Sequence, residues 1–135
     1  MSTITAIQTI NWLAVLVAWI SHVVISLLWF QPMFFGKAWV ELSGKEMKPA
    51  TQWIPIGLVA HFICIFALAV IINLALATTV IEGIGLGIMV AICFIGAMLG
   101  GELVWEKIPF RLFLIRIGDQ ILTLGIAGAI FALWR

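Results

Sequence analysis

The sequence predicts an all-α polytopic membrane protein, one domain over residues 1–135 whose four transmembrane helices form a bundle. Three observations predict it. First, 64% of the residues are apolar and 10% are charged, against about 25% charged in an average soluble domain, so the outside of a soluble particle could not be solvated. Second, the charges are segregated, leaving four long apolar runs. Third, the basic residues collect on alternate connections between those runs.

The first span, 11–30, contains no Asp, Glu, Lys or Arg. At about 1.5 Å per residue it reaches across a hydrocarbon core of about 30 Å. The second, 54–77, carries no formal charge. The third, 83–104, is uncharged through Gly101 and meets Glu102 only at its end. The fourth, 112–134, holds two charges, Arg116 and Asp119. Residues 1–10 lack the basic n-region of a signal peptide, and the apolar run after them is longer than an ordinary h-region, so the first span is read as a retained helix. Cys64 and Cys93 both fall in mid-span and do not resemble a disulfide framework, although helix geometry leaves a buried pair open. No basic, aromatic-interleaved patch suggests nucleic acid.

With four crossings, the connections 36–53 and 105–111 share a side. Lys37, Lys45, Lys48, Lys107 and Arg111 lie in them and Arg116 lies just beyond, so six of the seven basic residues fall on that side and Arg135 alone falls opposite. The positive-inside rule then places both connections in the cytoplasm and both termini outside.

The exit of the first span, "LLWFQPMFFGKAWVELSG" over residues 27–44, reads as an interfacial collar. Pro32 ends or bends the helix. Trp29, Phe34, Phe35 and Trp39 suit the headgroup zone, and Lys37 can snorkel into it. Gly36 completes the motif. Trp105, Pro109, Phe110 and Arg111 repeat this grammar after the third span, which hints at two tandem helical hairpins. Within the third span, Gly83 and Gly87 form one ridge, continued by Ala91, and Gly96 and Gly100 form another. At about 100° per residue the two ridges lie on opposite faces, so the helix is expected between two neighbours, one of them from a second copy of the chain.

Polar side chains are costly in hydrocarbon and so mark candidate function. Counted from the cytoplasmic ends, His22, His61, Cys64, Cys93, Asp119 and Gln120 fall in one layer roughly 10–18 Å deep, drawn from all four helices. Three readings compete. In the first the layer is structural: the histidines, Gln120, Asn73, Ser21 and Ser26 hydrogen-bond across helices and set their register. In the second, His22, His61 and Cys64 hold zinc or copper, or the two histidines clasp a haem, although no HxxxH, CxxC or CxxCH motif is present. In the third, Arg116, Asp119, Gln120 and Thr123 form a polar stripe at i, i+3, i+4, i+7 that serves a proton or solute pathway. There, Asp119 either pairs with Arg116 or titrates, and Arg116 itself can reach the headgroups or Glu102. Ser21 and His22, as sequence neighbours, face about 100° apart and make no nucleophile–base pair. No phosphate-binding loop or HExxH occurs, so no enzyme is expected.

The collar resembles a bacterial membrane family catalogued as domain of unknown function 1761, in which Leu-Trp-Tyr is followed two residues later by Pro, then by Phe-Gly-Lys and Trp. Trp29, Pro32, Phe35, Gly36, Lys37 and Trp39 match, with Phe30 in the tyrosine position. The closing segment "IPFRLFLIRIGDQILTLGIAGAIFALW" is similar to the family's ending, including Gly118 and Gly128-Ala129-Ile130. Where the family often shows Asn-Ala-Gly-Tyr-His, this chain has Arg116-Ile117-Gly118-Asp119-Gln120, so no role of that tyrosine or histidine carries over. The resemblance implies a four-helix bacterial inner-membrane protein and no particular reaction.

These readings combine into one expectation: a self-associating, membrane-embedded packing or interaction module without cofactor or resident metal, its partners the lipid bilayer and further copies of itself. The alternatives are a small oligomeric proton-coupled transporter of a small molecule or ion, using Asp119 with His22 or His61, and a metal- or haem-binding protein.

Overall fold

The computed structural model describes residues 1–134, and among these the secondary structure is helical throughout. The helices are α1 (Thr3–Gln8), α2 (Trp12–Trp29), α3 (Gly36–Ser43), α4 (Ile54–Leu74), α5 (Val80–Val90), α6 (Ala97–Trp105) and α7 (Phe110–Leu133). A 3-10 turn, Thr51–Trp53, leads into α4, and a π-helical segment, Ala91–Gly96, joins α5 to α6. Four units are long and apolar enough to cross a bilayer: Trp12–Trp29, Thr51–Leu74, Val80–Trp105 and Phe110–Leu133. The protein is thus an all-α bundle of the multi-pass membrane type.

Local chemistry sets the ends of these helices. Asn11 caps α2, its side-chain oxygen accepting from the Leu13 and Ala14 amides, which satisfies two of the amides that a helix start leaves unpaired. Pro55 occupies the first turn of α4, where a missing N–H costs nothing. Thr79 and Glu82 form a reciprocal capping box at the start of α5, so Glu82, assigned to a connection on sequence grounds, belongs to the helix. The 36–53 connection contains a helix, α3, which ends at Gly44 in the left-handed conformation at φ +67°. Residues 1–10 also hold structure that the sequence did not announce: α1 seats the fully buried Ala6 against α4.

α7 is the central helix. Of its most apolar window 44% is buried, against 17–22% in the other spans, because α2, α4 and α5 all pack on it. The closest of these contacts is with α5. A β-carbon added at Gly83 would strike the Gly128 carbonyl oxygen, one at Gly128 would strike that of Gly83, and one at Gly87 would strike that of Leu124. Backbone therefore touches backbone, with each glycine Cα hydrogen aimed at a carbonyl, an arrangement that contributes about 0.5–1 kcal/mol per contact. Lipid offers no hydrophobic drive for helix association, and close packing of small residues replaces it.

The second glycine ridge departs from expectation. Gly96 is buried, and a β-carbon there would meet Ile117 of α7 at 3.1 Å, so it faces the same neighbour as Gly83 and Gly87. The π-helical turn explains this: one extra residue in a turn delays the face by about 100°, which cancels most of the expected half-rotation. A β-carbon at Gly100 would meet nothing within 4 Å. The third span therefore has one packed face, and its glycines at 96 and 100 make no second groove.

Bulk at the α5–α7 crossing is expected to be the most damaging change in the bundle. Gly83→Val, Gly87→Val and Gly128→Val should each cost at least about 3 kcal/mol through backbone displacement and lost packing. Gly85→Val, where a β-carbon would have open space, should stay within about 1 kcal/mol. Reversible unfolding in mixed detergent micelles measures both.

Candidate functional site

Three helices contribute to the polar layer: α2, α4 and α7. Asp119 is 3% exposed and faces α2. The Ser26 hydroxyl donates to its Oδ1 at 2.9 Å and lies 3.1 Å from Oδ2, and the Gln120 amide donates to Oδ2 at 2.9 Å. Both carboxylate oxygens are therefore occupied by donors, as an acceptor-only group requires. One turn on, the buried Thr123 hydroxyl donates to the Asp119 carbonyl at 2.8 Å.

Asp119 does not pair with Arg116. The Arg116 guanidinium forks onto Glu102 of α6 instead, Nη1 to Oε2 and Nη2 to Oε1 at 3.3 Å. The two residues stand three apart on α7 and face different neighbours, Asp119 inward to α2 and Arg116 toward α6. The pair is about one-third exposed, with side chains 33% and 27% accessible. It ties the end of the third span to the start of the fourth.

His22 and His61 meet. Their ring centroids are 4.7 Å apart with the planes at 71°, edge to face. His22 is 1% exposed, and neither ring nitrogen has a hydrogen-bond partner among the described residues. His61 is exposed on the outer surface of the bundle. The histidine pair thus joins α2 to α4 one helical turn from Ser26, the α2 residue that holds Asp119 of α7.

The remaining candidates stand apart from this region. Cys64 is half-buried and Cys93 is exposed, both as free thiols, and among the described residues no three of His, Cys, Asp and Glu converge to hold a metal. The His22, His61 and Cys64 set therefore reduces to two histidines in contact. Asn73 does not belong to the layer; near the far end of α4 it donates to the Ala6 carbonyl at 3.1 Å and holds α1 down. Arg135, the basic residue expected opposite the others, lies outside the described residues.

Part of the collar is built into the fold, while Phe34 and Lys37 stay exposed. Trp29 donates its indole N–H to the Ile115 carbonyl of α7 at 3.0 Å and stacks on Phe35, with centroids 4.4 Å apart. Gly118 makes room for the indole, since a β-carbon there would meet Trp29 at 3.0 Å. Gly36 is buried in the turn, where a β-carbon would strike the Phe30 carbonyl oxygen. By contrast Trp105, its counterpart in the suspected repeat, is 86% exposed. Trp19 provides a tie that composition did not suggest, donating to the Leu58 carbonyl at 3.2 Å and joining α2 to α4.

Trp29, Phe35, Gly36 and Gly118 are therefore structural complements of one another, drawn from both end segments of the chain. The model of a family described as Protein of unknown function (DUF1761) matches residues 13–132. The chain belongs to this family. The match takes in the whole Asp119 region, the collar and the α5–α7 crossing of this DUF1761 protein. No curated protein and no solved structure matches the chain.

The Ser26–Asp119 bond is testable as a coupling. Asp119→Ala should destabilise this DUF1761 protein by about 1–3 kcal/mol, because it strands two donors in the bundle. Ser26→Ala should cost about 1 kcal/mol in the native protein and nearly nothing in the Asp119→Ala background. A double-mutant cycle of unfolding free energies in detergent checks both values.

Proposed function

We propose that this DUF1761 protein is a non-enzymatic packing and interaction module of the bacterial inner membrane, working as an assembly of several copies with the His61 face of α2 and α4 at the contact. One observation carries this reading. His61 stands exposed on the protomer's outer surface about 10 Å from the start of α4, counted at about 1.5 Å per residue. A polar side chain at that depth belongs against protein rather than lipid. Beside it lie the unpartnered nitrogens of His22, and a second copy seated on His61 seals this polar pair from the bilayer.

The state of Asp119 favours this reading over transport. A carrier carboxylate must meet water or substrate, whereas Asp119 is 3% exposed with both oxygens already hydrogen-bonded. Arg116 is likewise committed to Glu102. The orientation follows from charge: Lys37, Lys45, Lys48 and Lys107 lie around α3 and before α7, and Arg111 and Arg116 lie in the first two turns of α7, so that side is read as cytoplasmic and both termini as outside.

In a Cys64→Ala, Cys93→Ala background, His61→Cys should be joined to its counterpart by a short bis-thiosulfonate reagent in native membranes, giving a dimer on gels. A chain that stays uncrosslinked, and bleaches in single steps when labelled and diluted into liposomes, refutes the assembly. Alkaline phosphatase fused after the last helix should be active and green fluorescent protein at the same place dark; the reverse pattern overturns the orientation.

A further inference from the structure

Beside the collar, away from the His61 face, the bundle holds a groove of about 290 Å³ between α7, α3 and the exit of α2. Its floor is one stripe of α7, namely Arg111, Leu114, Ile115 and Gly118, at i, i+3, i+4 and i+7. The stacked rings of Trp29 and Phe35 form one wall and Ala38 of α3 another. The shape is fixed by contacts already described, since the Trp29 indole is pinned to the Ile115 carbonyl and Gly118 accommodates the ring.

Chemistry divides the groove along its length. Arg111 stands at one end, in the first turn of α7, exposed and without an ion-pair partner; among the described residues the ion pairs are Lys48–Glu46 and Arg116–Glu102. No side chain caps that helix end, so its amides add positive potential there. From Arg111 inward to Gly118 the lining is apolar or aromatic for seven residues, about 10 Å. That is about two-thirds of one hydrocarbon leaflet, taken as half of about 30 Å. The volume sits at the small end of ligand pockets, enough for the upper part of a chain and too little for a whole lipid.

From this layout we infer that the groove is a binding site for an anionic phospholipid, its phosphate on the Arg111 guanidinium and the upper part of one acyl chain laid along Leu114 and Ile115 against Trp29. A cation at the headgroup level and an apolar trough running down from it match the two ends of such a molecule in the order in which the bilayer presents them. Lys37, next to Ala38 in sequence, adds a second cation at this end of the bundle.

Native mass spectrometry of the full chain, released from detergent micelles containing phosphatidylglycerol or phosphatidylcholine of identical chains, tests the site. The wild type should retain phosphatidylglycerol with at least about tenfold preference. Arg111→Gln, at an exposed position, should erase that preference, and Ala38→Phe should weaken both lipids by filling the trough. Millimolar inorganic phosphate should leave bound phosphatidylglycerol in place. Equal retention of the two lipids by the wild type, or a preference that survives Arg111→Gln, overturns the proposal. Displacement by free phosphate also overturns it, since the groove would then hold an anion and no chain. Should Ala38→Phe fail to elute as a folded species, the Arg111→Gln comparison and the phosphate competition still decide the matter.

Discussion

The structure depends on backbone meeting backbone between α5 and α7. In water an apolar face is driven against another by the solvent, but lipid tails are as apolar as leucine and provide no such drive. Contact density takes its place, and Gly83, Gly87 and Gly128 raise it by removing the side chains that would hold the two helices apart. With α5 seated so closely, α7 becomes the axis on which α2 and α4 arrange themselves. This is why the most polar span of the four is also the most buried. Asp119 and Thr123 are turned inward, where Ser26, Gln120 and a helix carbonyl receive them.

The membrane-spanning architecture was legible in the sequence because hydrocarbon is an exacting solvent: long uncharged runs with a basic bias between them are rarely produced by any other environment. Counting residues from the helix ends placed His22, His61 and Asp119 in a common layer, and His22 and His61 do touch. Rotation about the helix axis was harder to read. Regular periodicity put Gly96 opposite Gly87, and the π-helical turn brought it round to α7. Nothing in the residue types of Ala91–Gly96 signals that turn locally.

Partner choice was the other illegible part. Arg116 had Asp119 within one turn and Glu102 across a connection, and sequence spacing could not rank them. Packing does, because Asp119 is directed at α2 while Arg116 faces α6. Asn73 shows the same limit. Its polarity suggested the central layer, yet it serves the helix α1 that no periodicity in residues 1–10 revealed. The collar was recognisable as a motif before its purpose was. Its glycine and aromatics fit one another and the Gly118 notch in α7, a complementarity between segments far apart in the chain.

The π-helical turn has a consequence for the third span as a mechanical object. A residue inserted within a helix uncouples the azimuth of the N-terminal half from that of the C-terminal half. Val80–Val90 is clamped by glycines to one part of α7, while Ala97–Trp105 is aimed so that Glu102 reaches Arg116 farther along the same helix. An unbroken α-helix cannot satisfy both demands, for wound without the extra residue it would swing the carboxylate about 100° toward the acyl chains. Ala91–Gly96 is thus the swivel that lets one rod keep two appointments with the same neighbour.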